Sequence, residues 1–267
     1  MNKGKIISMI AILSVLLIGI LYINFHPTVA VLCYHNVASA KERERYPEEK
    51  NWIITIDNFE EQLKFLKDND YQTLTMQEFY DWKMGKINLP YKSVLITFDD
   101  GFLSNAYYAI PLLKKYEMNA TLFVVGEYIE KSTETEWKED VKTYLNKNLL
   151  EQIRDNFPNI EIYSHSYGLH EDGAIESASV ENLREDIRKF NANIKNSDVY
   201  SYPLGKYNNN MIQALKQEGI VLAFKDEKNQ KNNKKVTRDD DNYAIPRINV
   251  SQEMDIWQLA FNLLMPF

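Results

Sequence analysis

Four residues in two short segments carry side chains suited to holding a metal ion or moving a proton. They are Asp99 and Asp100, followed by Gly101, and His165 and His170, with Ser166, Tyr167, Gly168 and Leu169 between them. The acidic pair directly follows the apolar run Val94 to Phe98, which puts two carboxylates at the C-terminal end of a strand, where βα barrels build their sites. Adjacent strand residues point to opposite sides, so a bend is needed before both carboxylates face one cavity, and Gly101 makes one easy. The competing reading is a turn in which Asp caps the next helix. The histidines follow a second strand-like run, Ile160 to Ser164. On a helix, residues five apart point about 140° from each other, so a shared ion requires a strand-to-loop bend, which Gly168 permits. Two imidazoles and one carboxylate suit a hydrolytic metal site that keeps positions open for water and substrate.

Holding these segments together requires a repeating scaffold. After Pro27, β-branched and apolar runs alternate with amphipathic helical segments, the pattern of a parallel sheet or barrel built from βα units, in one domain over 28–267. Thr28 to Tyr34 reads as the first strand and Asn36 to Asn51 as a polar loop. Asp57 with Glu60 resembles a capping box for the helix carrying Phe59, Leu63 and Leu66, and Thr75 with Glu78 opens the next, carrying Phe79 and Trp82. Strands are expected at Ser93 to Phe98, Ala120 to Val125, Ile160 to Ser164, Val199 to Tyr202, Ile220 to Phe224 and Ala244 to Val250. Helices are expected over Ser104 to Tyr116, most of Glu136 to Phe157, Ser179 to Lys195, and Asn210 to Glu218, stopped by Gly219. Lys225 to Asn242, rich in Lys, Asn and Asp, reads as a solvated excursion. Ser251 is the expected cap of a last helix with Ile256, Leu259, Phe261 and Leu263.

Of the 267 residues, 45% are hydrophobic and 26% charged, an ordinary globular balance that excludes low-complexity disorder. A net charge of −7 without a Lys/Arg block argues against nucleic-acid binding and suits a neutral substrate. The single cysteine, Cys33, cannot form an intrachain disulfide. With Leu32 before it, Cys33 also lacks the small residue of a lipid-attachment signal, and it reads as a buried strand cysteine. Lys3 and Lys5 precede an uncharged run from Ile6 to Ile23, about 18 residues or roughly 27 Å of helix, enough to span a bilayer core. Because Tyr22 to His26 offers no small-residue exit, the expectation is an uncleaved anchor over 1–27, with the domain outside the cell. Cleavage would instead release a secreted form.

The two motifs also resemble a family. Thr97, Phe98, Asp99, Asp100 and Gly101 match the first motif of the NodB-type polysaccharide deacetylases, carbohydrate esterase family 4, and His165 to His170 match the second. The His-to-His spacing, the string Tyr202, Pro203, Leu204, Gly205, Lys206, Tyr207, Asn208, and Ile245, Pro246, Arg247, Ile248 resemble one branch in particular. That branch comprises the poly-N-acetylglucosamine deacetylases of biofilm exopolysaccharide, whose catalytic domain also opens like Tyr34, His35, Asn36. The resemblance runs from Val29 to the C-terminus and implies a distorted (β/α) barrel.

It further implies that Asp99 is the base and that Asp100, His165 and His170 ligate a divalent metal, with Zn2+ first and Ni2+ or Co2+ as alternatives. Such an ion polarises an acetamide carbonyl and acidifies water. The backbone N–H of Leu204 is the implied oxyanion donor. Many members supply a late histidine to protonate the departing amine, but no histidine follows His170 here. The leaving-group acid is therefore Asp99 returning its own proton, metal-bound water or His35, with Asp99 the first expectation. The family's third-motif arginine is also missing, with Tyr202 near its place, which leaves Arg247 to orient Asp99 or contact substrate. Tyr is abundant, 17 residues, and sugar faces stack on aromatic rings, so Tyr167, Tyr202 and Tyr207 are the expected groove contacts. The implied activity is removal of N-acetyl groups from a cell-surface polymer, poly-β-1,6-N-acetylglucosamine first and peptidoglycan second, in partnership with a polysaccharide synthase or export system. A silent glycan-binding module is the reading of another class; the intact set of four argues against it, since binding needs no base beside a metal.

Overall fold

A computed structural model describes residues 28–226 and 234–264, together with Met9, Ile12 and Ser14. Its strands are β1 (Ala30–Tyr34), β2 (Asn36–Ala38), β3 (Ile53–Thr55), β4 (Gln72–Thr73), β5 (Ser93–Phe98), β6 (Ala120–Val124), β7 (Ile160–Ser164), β8 (Val199–Ser201), β9 (Leu222–Asp226) and β10 (Ile245–Asn249). Because β1 bonds to both β10 and β5, the strands β1, β5, β6, β7, β8, β9 and β10 close into a seven-stranded parallel barrel. β5 runs beside β1 from Val94 to Phe98, while its other edge is divided between β4 at Ser93 and Val94 and β6 at Thr97 and Phe98. β2 and β3 pair separately, just beyond the end of β1.

The two-residue side-chain period of the strands sorts the barrel wall into an inner and an outer surface. Outward-facing Leu32, Ile96, Phe98, Leu122, Val124, Ile162 and Ile248 pack with Phe59, Leu63 and Leu66 of the helix Ile56–Asp68 and with Ile110 and Leu113 of the helix Ala109–Lys115. Inside, Val31, Leu95, Phe123, Val199, Leu222, Phe224 and Ile245 fill the N-terminal half, plugged by Phe79 and Trp82 of the helix Met76–Lys83. Each such side chain contributes roughly 1.5–3 kcal/mol by leaving water. Two residues further along the same strands, the inward positions are Cys33, Thr97, Ser201, Asp226 and Arg247, with Asp99 at the next step beyond Thr97. The barrel is therefore apolar at one end and polar and charged at the other.

Several sequence expectations change. Asn36 to Asn51 is not a plain loop: it holds β2 and the helix Ala40–Arg45, whose capping box is Ser39 with Glu42. The helix Ile56–Asp68 is capped by Thr55 rather than Asp57, two residues earlier. The helix expected from Ser104 to Tyr116 is divided into Leu103–Tyr107 and Ala109–Lys115, because Pro111 has no N–H for the carbonyl four residues back. Within Glu136 to Phe157 the helix occupies only Lys147–Asn156, capped by Asn146. The last helix, Ile256–Leu264, is preceded by the reciprocal bonds of Asp255 and Gln258, not by a Ser251 cap. Finally, Asp226 belongs to β9, and the described part of the expected excursion, from 234, packs against the barrel. Val236 is buried and exchanges backbone bonds with Val29, while Lys83 Nζ donates to the carbonyls of Thr237, Arg238 and Asp240. The expected anchor falls outside the described residues apart from Met9, Ile12 and Ser14; among the described residues, no helix is long and apolar enough to cross a membrane.

Candidate active site

The acidic pair sits where β5 leaves the barrel. Asp99 N–H makes the last ladder bond, to Tyr34 O at 3.0 Å, and Gly101 N–H returns to Asp99 O at 2.9 Å. Asp100 between them takes φ 71° and Gly101 φ 77°, so the expected bend starts at the aspartate itself. A side chain at Gly101 would also meet Val124 at 3.0 Å, so only glycine suits this turn. The bend turns both carboxylates toward the two histidines. His170 Nε2 lies 2.9 Å and His165 Nε2 3.4 Å from Asp100 Oδ1.

His165 follows β7, its N–H bonded to Val124 O at 3.0 Å, and its Nδ1 lies 2.9 Å from Ser201 O on β8. A carbonyl only accepts, so Nδ1 carries a proton, and Nε2 is the nitrogen that faces the Asp100 carboxylate and, once deprotonated, can ligate an ion. The bend after it falls at Ser166, with φ 69°, rather than at Gly168 as expected. The loop is clamped from both sides. Gly126 and Glu127 N–H donate to the carbonyls of Ser166 and Tyr167 at 3.0 and 2.7 Å. Asp186, on the helix Val180–Asn193, accepts from Tyr167 and Gly168 N–H, each at 2.8 Å. Burial pushes the Asp186 carboxyl above its ordinary range, although these backbone donors oppose it. The sequence reading missed Asp186, a surface-type residue in an amphipathic helix 16 or more positions from the loop that it holds.

One donor atom each from Asp100, His165 and His170 falls within a 4.8 Å group. This set fits a divalent cation: a tautomer-locked imidazole, a second imidazole and an ionised carboxylate. Burial works against ionisation of Asp100, but its hydrogen bonds with His165 and His170 hold it well below the ordinary carboxylate range. Asp99, fully buried, does not join the set directly; its Oδ2 lies 3.7 Å from His165 Nε2. Arg247 of β10 grips both its oxygens, at 2.7 and 2.5 Å, and Ser201 Oγ donates to Oδ2 at 3.3 Å. Here too burial raises the carboxyl and is outweighed, by the charges of Arg247 and then His165, so Asp99 stays below its usual range.

Comparison with known proteins decides the family. The profile of the polysaccharide deacetylases matches residues 86–223. The chain belongs to the polysaccharide deacetylase family. Among its relatives is the poly-beta-1,6-N-acetyl-D-glucosamine N-deacetylase of Staphylococcus epidermidis, 31% identical over 76% of this chain and 70% of the relative. The Staphylococcus aureus enzyme of the same name (strain MSSA476) is 30% identical over 83% of this chain and 78% of its own. The fold matches the solved Streptococcus pyogenes deacetylase PplD with TM-score 0.74 at 21% identity, covering 90% of this chain and 100% of that one. The deacetylase is accordingly a hydrolase, and it carries the family's two motifs at the ends of β5 and β7, on either side of β6.

The remaining expected residues divide sharply in this deacetylase. Arg247 is fully buried and also donates to Asp226 through Nη2, so it positions Asp99 and does not touch substrate. Tyr202 is fully buried with its OH on Tyr243 O at 2.8 Å, and Tyr167 is buried with its OH on the Glu130 carboxylate. Neither is a groove contact, because aromatic identity does not reveal which way a ring turns. Tyr207 stays 37% exposed, stacked on Tyr202 at 4.9 Å. Leu204, in the turn Pro203–Gly205 just after β8, adopts a left-handed φ of 56°. His35, immediately after β1, packs its ring on Trp52 at 4.6 Å, and its nitrogen lies within one 4.8 Å group with Asp99 and Asp226. Asp226 is the second residue that the sequence reading missed, having been placed in the solvated excursion.

Proposed function

We propose that this deacetylase is a metal-dependent N-deacetylase of poly-β-1,6-N-acetylglucosamine, acting at the outer face of the cell membrane. The observation that carries the chemistry is the donor set of Asp100, His165 and His170 with the arginine-held Asp99 beside it. The polymer is taken from the names of the staphylococcal relatives, and the membrane from the lysine-flanked apolar run Ile6 to Ile23, which suits a polymer delivered by a synthase or export system.

Bound there, a divalent cation such as Zn2+ supplies Lewis acidity toward the acetamide carbonyl and toward water. Asp99 takes the proton of the attacking water, its carboxylate kept ionised and fixed in orientation by Arg247. The Leu204 N–H stands at the rim as the oxyanion donor. Proton return to the departing amine is reassigned from Asp99 to His35. A ring nitrogen of His35 lies within one 4.8 Å group with carboxylate oxygens of Asp99 and Asp226, close enough to hand a proton to the amine and take up the one that Asp99 has gained.

The test is acetate release by the full-length chain in detergent from β-1,6- and β-1,4-linked N-acetylglucosamine oligomers, with chelator and metal re-addition, and Asp99→Asn as control. Chelator-sensitive release favouring β-1,6 oligomers is expected. No release from any acetylated glycan by metal-loaded protein would sink the enzymatic reading for this chain, and preference for β-1,4 oligomers would replace the polymer by peptidoglycan.

A further inference from the structure

Cys33 is the single cysteine of the chain, and the chemistry above leaves its thiol unused. Two positions apart along extended backbone, Cys33 and His35 turn to the same side. One donor atom each from Cys33, His35, Asp99 and Asp226 falls within a 4.8 Å group, separate from the set of Asp100, His165 and His170. The Cys33 S–H itself reaches only toward Tyr34 O, at 3.9 Å, a weak bond even for sulfur.

The barrel fixes these four side chains from different directions. Cys33 lies beside Thr97 of β5 and Asn249 of β10, and its carbonyl accepts from Val250 N–H at 2.9 Å. Asp226 is pressed by the turn after β8: a side chain at Gly205, where φ is 65°, would meet Asp226 Cβ and its carbonyl oxygen at 2.9 Å. Ion-to-ligand distances of about 2.0–2.3 Å put tetrahedral ligands roughly 3.3–3.6 Å apart, so side-chain shifts of about 1 Å close the group. Charge favours occupation as well. Arg247 pairs with both Asp99 and Asp226, yet its single charge leaves the group one negative unit over. A divalent ion that ligates Cys33 breaks the S–H bond, forms a sulfur–metal bond and sends the proton to solvent, which brings the sum to zero. A thiolate, an imidazole and two carboxylates select Zn2+ or Cd2+ over Mg2+ or Ca2+.

We propose that Cys33, His35, Asp226 and Asp99 form a second, inhibitory site for a thiophilic divalent cation, Zn2+ in excess or Cd2+. An ion held there occupies the Asp99 oxygen and the His35 nitrogen that proton transfer uses, so turnover stops while the first ion stays in place. Occupancy stands on the geometry of the four donors by itself; the inhibition rests on the N-deacetylase reading above.

The experiment titrates Cd2+ into the full-length chain in detergent, loaded beforehand with one equivalent of Zn2+, and follows ultraviolet absorbance, bound metal after desalting, and acetate release from β-1,6-linked N-acetylglucosamine oligomers. The expected result is a thiolate-to-cadmium charge-transfer band, a second bound ion per chain and a fall in release of about 100-fold, the size of effect that loss of an acid–base group produces. With one cysteine in the chain, the band reports Cys33 alone. Cys33→Ala should show no band and no second ion, keep its release without Cd2+, and resist inhibition. No band at saturating Cd2+ would overturn the site, and so would loss of release without the band, which marks displacement of the first ion. A band that grows while release holds would overturn the inhibitory role, and neither result depends on a variant that folds. Inactivity of the Cd2+-free chain on every oligomer would sink the N-deacetylase reading instead, leaving the band and the metal content to decide the site.

Discussion

Arg247 holds Asp99 with both terminal nitrogens, Nη1 to Oδ1 at 2.7 Å and Nη2 to Oδ2 at 2.5 Å, across 148 positions of sequence. The guanidinium also serves Asp226 and lies 5.7 Å above the Phe123 ring. One planar cation thus neutralises two carboxylates within the barrel, a geometry that lysine cannot reproduce.

Arg247→Gln therefore leaves two buried carboxylates without their counter-charge, costing about 3–5 kcal/mol of stability. Asp99 is held below its ordinary range, so the stability it contributes is present above the unfolded-state value and lost as pH falls through the folded one. Without Arg247, burial loses its main opponent and the carboxyl rises. The acidic limb of the pH–rate profile should move to higher pH, and kcat should fall about 100-fold through lost orientation. Metal affinity should hold. A lower Tm with an unmoved acidic limb would show that Arg247 stabilises the barrel without tuning the base.

The legible part of this site was local. Asp99, Asp100, His165 and His170 lie in two short strings at strand ends, and strand-end placement follows from the apolar runs before them. Arg247 could be suspected but not placed: its inward direction depends on the register of β10, and its distance to Asp99 on barrel closure through β1. Asp226 was lost because two residues decide whether β9 ends before it or includes it. The alternation of runs placed the parallel strands but left sheet or barrel open, and closure was implied only by the family resemblance, whereas Thr55, Ser39 and Pro111 set helix ends by single side-chain bonds or by one missing N–H, which periodicity does not register. Tyr167 and Tyr202 failed for the opposite reason: their rings are large enough to serve the core, and the core claimed them.

Asp186 holds the loop between the two histidine ligands by accepting from the Tyr167 and Gly168 N–H groups. In Asp186→Asn one of these acceptors becomes an NH2 donor facing an N–H, so the loop loses its fixed shape. Chelator competition should show metal bound about 10–100-fold more weakly, as for other groups that orient ligands from behind. Unchanged metal affinity alongside a lowered Tm would mean that Asp186 only packs.

Leu204 separates backbone from side-chain function. Its φ of 56° costs a non-glycine residue about 1–2 kcal/mol. Leu204→Gly removes that strain, partly offset by a more flexible unfolded chain, and keeps the N–H. Stability should be unchanged or raised by up to about 1 kcal/mol, and kcat should stay within about threefold if the N–H is the oxyanion donor. A kcat loss of 100-fold would show that the isobutyl side chain is needed to shape the site and that the N–H does not suffice.

His35 offers the sharpest test of where the proton goes. Its main-chain carbonyl accepts from Asn105 Nδ2 at 2.7 Å and its ring packs on Trp52, so the side chain is held in place near Asp99 and Asp226. If His35 protonates the departing amine, its value depends on how badly the leaving group needs a proton. An amine expelled from an amide needs one; nitrophenolate expelled from an ester does not. His35→Gln should therefore lower kcat on N-acetylglucosamine oligomers by about 100-fold or more, with KM little changed, and leave p-nitrophenyl acetate hydrolysis within about threefold. Equal losses on both substrates would place His35 in ground-state structure and return the acid role to Asp99, whose own variant, Asp99→Asn, should abolish both reactions in either case.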